Sequence, residues 1–170
     1  MANDIMRIAS WLQPQDILLG VDARDRMQAL EIMAAAVGRV HGLEQAPIFR
    51  ALWRREQAGS TGLGGGFAIP HARIGGIARP LTLFVRTKRS IGFDAPDGKP
   101  VSQLLMIMAP TDGAKDDHLQ LLALVARLFS DRGFRAQLDA ASDATAAMEA
   151  FRAGIARLTA IADQAQIPAC

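Results

Sequence analysis

Leu104-Leu105-Met106-Ile107-Met108 is an unbroken apolar run held between Pro100 and Pro110. It is too short for a stable helix, and the prolines bar a longer uninterrupted element. A strand with one wet face alternates apolar and polar side chains. A run without alternation therefore predicts a strand buried on both faces.

Working outward, 81–86 reads as a second strand and 67–69 as a third. Pro70, Gly75-Gly76 and Pro80 confine the piece between them to loop or turn. A further strand is expected at 16–19, led in by Trp11 and Leu12. Asp22, with Asp25 three positions on, is a plausible cap for a helix in which Met27, Leu30, Met33, Val37 and Val40 recur at helical spacing until Gly42. Pro47 sits where a first-turn proline is tolerated, and Ile48, Phe49, Leu52 and Trp53 make the stripe of a second helix ending near Gly59.

Downstream, 114–129 carries His118, Leu121, Leu122, Val125 and Phe129 on one stripe, and Asp131 to Gly133 break it. Two shorter helices are expected, one near 134–138 and one capped by Ser142 and ending near Gly154. Strands alternating with helices predict an α/β class: a single layered domain, a mixed β-sheet with helices on both faces.

Composition narrows the function classes. A chain of 170 residues, half of them hydrophobic, suits one core. The 19 basic residues are scattered and the net charge is only +2, which argues against nucleic acid as a partner. The single cysteine, Cys170, excludes an internal disulfide and disfavours a thiolate metal site. Around Asp4 and Arg7 there is no signal-peptide pattern, and no apolar run is long enough to insert in a membrane. A cytoplasmic protein is expected.

Gly59, Gly62, Gly64, Gly65 and Gly66 cluster in a loop whose backbone can take positive φ and approach another group closely. The dinucleotide fingerprint fails, because Phe67 stands where its third glycine belongs, and no phosphate-loop Gly-Lys-Ser or Gly-Lys-Thr exists. Ile69-Pro70-His71-Ala72-Arg73 then puts a histidine just after a proline that restricts the backbone. Neutral imidazole is nucleophilic, so His71 is a candidate nucleophile; a loop histidine bonded for structure fits these residues equally. His118, on an apolar stripe near a helix start, reads as a core histidine or as a donor to an anion at that helix end. Arg54 and Arg55 close their helix, as solvated charges or as anion contacts, and periodicity does not choose between them. Few histidines and no HExxH spacing predict no metal, and no cofactor motif is present.

Read together, Arg55-Glu56, Gly59-Ser60-Thr61-Gly62-Leu63-Gly64, Gly66-Phe67-Ala68-Ile69-Pro70-His71 and the later His118-Leu119-Gln120-Leu121-Leu122 resemble the signature of the fructose- and mannitol-type enzyme IIA family of the bacterial phosphotransferase system. The resemblance spans about residues 10–152, with Ile91-Gly92-Phe93-Asp94-Ala95 and Asp97-Gly98-Lys99-Pro100-Val101 between the motifs. It implies an enzyme IIA domain over 1–152, followed by a tail at 153–170 that is a short helix or disordered. Gly-Ser-Thr-Gly-Leu-Gly and the free-standing length are most similar to the family's nitrogen-regulatory branch.

The resemblance implies that His71 is the phosphoacceptor, through Nε2, charged by an HPr-like phosphocarrier. It further implies that His118 is a hydrogen-bond donor to the phosphoryl group and that Arg55 contacts the phosphoryl group or its donor. Ser60, Thr61 and Gly62 would belong to the phosphoryl loop. The implied role is a phosphocarrier read by regulatory targets such as potassium-transport or sensor-kinase components. The alternatives are a sugar-specific enzyme IIA serving a IIB domain, and a binding module without transfer.

Overall fold

The computed structural model describes residues 12–113 and 115–164. The lead-in at Trp11, the residues Asp4 and Arg7, and the end of the tail with Cys170 lie outside the described residues. The chain divides into two compact units, one over 15–113 and one made chiefly of 115–164. Each is described in turn.

A 3-10 turn, Pro14–Asp16, leads into the first strand of the first unit, β1, Ile17–Val21. There follow α1, Arg26–His41, α2, Gln45–Gln57, and five more strands: β2, Gly62–Gly64, β3, Phe67–Ala68, β4, His71–Ile74, β5, Leu81–Ile91, and β6, Val101–Pro110. The sheet order is β1-β5-β6-β3-β2, with β4 also on β6. The sheet is mixed: β1 runs parallel to β5, β5 antiparallel to β6, and β3 and β4 both parallel to β6.

β6 meets the expectation of burial on both faces. Leu104, Met106 and Met108 join Leu83 and Val85 of β5 in a cluster with Leu30, Met33 and Val37 of α1 and Ile48 and Leu52 of α2. The alternate residues Phe84, Leu105 and Ile107 are as deeply buried, at 0–1% exposure. Removing an apolar side chain of this size from water contributes about 1.5–3 kcal/mol, so this strand pair is a principal source of stability.

Several elements differ from expectation, each for a local reason. The cap of α1 is Asp25, whose carboxylate accepts from the Gln28 N–H at 2.8 Å, while the Gln28 side chain accepts from the Arg24 N–H. That exchange is close to a capping box, which Asp22 cannot make. Starting the helix there puts Met27 on its exposed side, at 43%. The glycine-rich segment is a tight hairpin, β2 antiparallel to β3, rather than a loop; Gly64, Gly65 and Gly66 turn it with φ of 84°, 64° and 87°.

The largest correction falls at His71–Ile74, expected as loop and found as strand. Phe67 pairs with Gln103 and Ala68 with Leu104; beyond Pro70, His71 pairs with Ile107 and Ala72 with Met108. β3 and β4 are thus one line of chain in one register along β6, interrupted only at Ile69-Pro70. Proline has no N–H for a ladder, but its carbonyl still serves, accepting from the Ile107 N–H at 2.9 Å.

The second unit holds α3, Lys115–Ser130, α4, Arg132–Ala140, and α5, Ala144–Gln164. Asp131 caps α4, accepting from the N–H groups of Gly133 and Phe134. Asp143, not Ser142, caps α5 by accepting from the Ala146 N–H at 2.9 Å. Phe129, Phe134 and Phe151 meet edge to face as this unit's core. α5 does not stop at Gly154 but continues to Gln164, so 153–164 extend a helix begun before them. Gly154 is there for space: a Cβ would lie 2.7 Å from Leu128 Cδ1 and 2.7 Å from Phe134 Cδ2.

Candidate functional site

His71 opens β4 immediately after the strand interruption, half-buried. Its Nδ1 lies 2.7 Å from the Ile69 carbonyl oxygen. A carbonyl only accepts, so Nδ1 carries the proton and the lone pair is on Nε2. The other side of the ring agrees: Arg55 Nε, which only donates, lies 3.0 Å from Nε2. Two one-way partners fix the tautomer from opposite ends.

Arg55 sits in the last turn of α2, and its Nη1 also donates to the Gly59 carbonyl at 2.9 Å. The fork thus ties the helix end to both the histidine and the start of the hairpin. Arg54, one position earlier, is exposed. Consecutive helical positions diverge by about 100°, so only one of the two faces the histidine.

The segment between α2 and β2 is built on Glu56, a carboxylate only 3% exposed. It accepts from the Thr61 N–H at 3.1 Å and from the Thr61 hydroxyl at 2.5 Å. Ser60 donates its hydroxyl to the Phe93 carbonyl and accepts from the Gly62 N–H at 3.0 Å. Ser60 and Thr61 therefore spend their hydroxyls on shaping the loop. Gly62 is required by close approach, since a Cβ would lie 2.8 Å from Ala95 Cβ and 2.9 Å from Ala95 Cα.

Arg26 closes this arrangement. Its Nη1 is 3.0 Å from Asp94 Oδ2 and 3.4 Å from Glu56 Oε1, and its guanidinium carbon stands 5.8 Å above the Phe93 ring. Asp94 holds a positive φ of 50°, uncommon outside glycine. At the far end of the hairpin, the N–H groups of Gly65 first and of Lys99 hold the Asp97 carboxyl below its ordinary value.

Of the residues singled out in the sequence, Arg55, Ser60, Thr61, Gly62 and His71 thus meet in the first unit. His118 is half-buried in α3 of the second unit. Arg26 and Glu56 were given no role by the sequence. One signal was available, because each opposes its helix dipole: a cation in the first turn of α1 and an anion in the last turn of α2. Among the described residues no group of His, Cys, Asp and Glu could hold a metal ion, and no helix is long and apolar enough to cross a membrane. The arrangement suits a neutral imidazole presenting one nucleophilic nitrogen to an anion-binding guanidinium.

The chain is similar to a nitrogen regulatory protein of Bradyrhizobium diazoefficiens, 36% identical over 141 residues that cover 83% of this chain and 92% of that one. It superimposes on the crystal structure of nitrogen regulatory protein IIA-Ntr from Neisseria meningitidis with a TM-score of 0.80 at 35% identity, over 85% of this chain and 99% of that one. The fold is shared more distantly with IIA mannitol from Escherichia coli, at a TM-score of 0.69 and 17% identity, over 82% and 98% of the two chains. Residues 10–154 match the family described as phosphoenolpyruvate-dependent sugar phosphotransferase system, EIIA 2, and the chain belongs to that family.

Proposed function

We propose that the protein is a phosphoryl-accepting regulator of the nitrogen-type phosphotransferase system, charged on His71 Nε2 by a phosphohistidine of an HPr-like carrier. One observation carries this reading: the His71 tautomer is fixed at both ring nitrogens, with the lone pair on Nε2 turned to the Arg55 guanidinium.

In the transfer, the Nε2 lone pair forms a bond to phosphorus while the bond from phosphorus to the donor's imidazole breaks, and that electron pair stays on the donor nitrogen. Nothing is oxidised or reduced. Such a transfer depends on in-line positioning and on stabilising spread negative charge, which needs hydrogen-bond donors rather than a strong base. Arg55 must leave the lone pair before attack, and its planar fork is then free to meet phosphoryl oxygens. The proton stays on Nδ1, donating to the Ile69 carbonyl, which offsets the positive charge that develops on the ring. His118 keeps the role given it by the resemblance, a second donor to the phosphoryl group, and Ser60, Thr61 and Gly62 form the loop that frames the site.

Regulation rather than sugar uptake is favoured by the nitrogen regulatory name of the relative that is 36% identical. The state of His71 would then be read by targets such as potassium-transport or sensor-kinase components. Incubation with a phosphorylated HPr-like carrier, followed by peptide mass spectrometry, tests the reading. Phosphate on His71 is the expected result; none, or phosphate elsewhere, overturns it. Onward transfer to a purified IIB domain would instead establish the sugar-specific role.

A further inference from the structure

We infer that Glu56 is a positioning residue for His71, acting through the backbone to hold the imidazole in its reactive tautomer; this rests on the phosphoryl-acceptor reading above. The connection runs through four hydrogen bonds. The Glu56 carboxylate takes both the N–H and the hydroxyl of Thr61. The Thr61 carbonyl accepts from the Ile69 N–H at 3.0 Å. The Ile69 carbonyl, on the other side of the same residue, accepts from His71 Nδ1 at 2.7 Å. Ile69 lies in the break between β3 and β4, so this contact with Thr61 fixes a carbonyl that the ladder leaves to the imidazole.

Glu56 is tied to the site by a second route. The Gly59 N–H donates to its backbone carbonyl, and the Gly59 carbonyl holds Arg55 Nη1. One residue therefore sits at the root of both partners that set the two ring nitrogens. Its placement is unfavourable locally, as an anion against the negative end of α2, and Arg26 is equally misplaced at the positive end of α1. The two are 3.4 Å apart. Each offsets the other, which allows a buried acceptor at a helix end where a backbone alone offers only more acceptors.

The test pairs kinetics with a direct reading of the ring. In uniformly 15N-labelled wild type at about pH 8, where an ordinary histidine is neutral, the His71 nitrogens should report a protonated Nδ1 and a bare Nε2. Glu56→Gln and Thr61→Val should each shift the pair toward a mixture of tautomers. Both should lower the saturating rate of phosphorylation by an HPr-like phosphocarrier on the order of 10- to 100-fold, as misplacement of a reacting group does. The half-saturating carrier concentration should stay unchanged, since docking is untouched.

A wild-type rate, or a slowed rate with the tautomer unmoved, overturns the inference, the latter by marking Glu56 as merely structural. Should Glu56→Gln fail to fold, Thr61→Val decides, because it keeps the backbone N–H and the side-chain volume. The ring measurement needs no phosphoryl donor. Absence of labelling in wild type would therefore overturn the phosphoryl reading alone, while the tautomers still decide the role of Glu56.

Discussion

Arg55 Nε and His71 Nε2 stand 3.0 Å apart, with the guanidinium donating into the lone pair that an incoming phosphorus would need. Under the proposed function, the group that occupies this lone pair at rest is the one that stabilises the phosphorylated product. A lysine at 55 keeps the charge but cannot hold His71 and Gly59 together as the fork does. Arg55→Lys should slow phosphorylation by about 10²-fold, in the range of a lost preorganised donor. Arg54→Lys, on the exposed face, should leave the rate unchanged. Rates measured on the two variants at matched thermal stability decide it, and an equal or larger defect at Arg54 refutes the placement.

His71→Ala should remove all labelling and leave the circular dichroism spectrum and melting temperature close to wild type, because the ring is half-buried and its contacts are polar. Retained labelling would move the acceptor elsewhere. His118→Ala should label at the same residue but about 10²–10³-fold more slowly, if the second histidine donates to the transferring group. Stopped-flow quench with the phosphorylated carrier separates the two behaviours.

Gly154→Ala sets two effects against each other. Alanine within a helix gains about 1 kcal/mol over glycine in propensity. The added methyl would sit 2.7 Å from atoms of both Leu128 and Phe134, and overpacking of that kind costs about 1–3 kcal/mol. With a buried aromatic on one side the packing term should win. Urea unfolding should show a net loss of stability, and a gain would mean that Phe134 can turn aside.

Asp131 caps α4, and the Phe134 N–H above all, helped by Arg157 and the Gly133 N–H, holds its carboxyl below the ordinary value. A depressed carboxyl contributes stability that is present above its unfolded value, near 4, and is lost as pH falls through the lower folded one. Asp131→Ala should therefore cost about 1 kcal/mol at neutral pH, as capping residues do. The gap between the two proteins should narrow as pH falls below about 4. Chemical denaturation at a series of pH values reads this, and a gap independent of pH would count against the carboxylate.

The legible parts of the fold were those written in local pattern. The apolar run at the centre of β6 announced its double burial, and the stripe of Leu30, Met33 and Val37 announced α1. What stayed hidden depended on partners far along the chain. His71–Ile74 looked like loop because Pro70, Gly75-Gly76 and Pro80 punctuate it, and only pairing with Ile107 and Met108 makes it a strand. Gly154 looked like a stop because the sequence does not show Phe134 beside it. His71 and Arg55 were singled out through motif resemblance, and the structure brings their side chains within 3.0 Å; periodicity could not separate Arg55 from Arg54. Arg26 and Glu56 went unassigned because their pairing joins the ends of two different helices.

The constant register across Ile69-Pro70 makes the count of residues before His71 as consequential as their identity. Side chains alternate along a strand, so deleting one residue between Ala68 and His71 would either turn the imidazole toward the apolar layer beneath or drag β4 out of step with β6. Substitutions in this break can be absorbed locally, whereas a change of length cannot. β6 thus acts as a ruler for the His71 imidazole, and the protein can vary the chemistry around His71 more freely than the distance along the chain at which it stands.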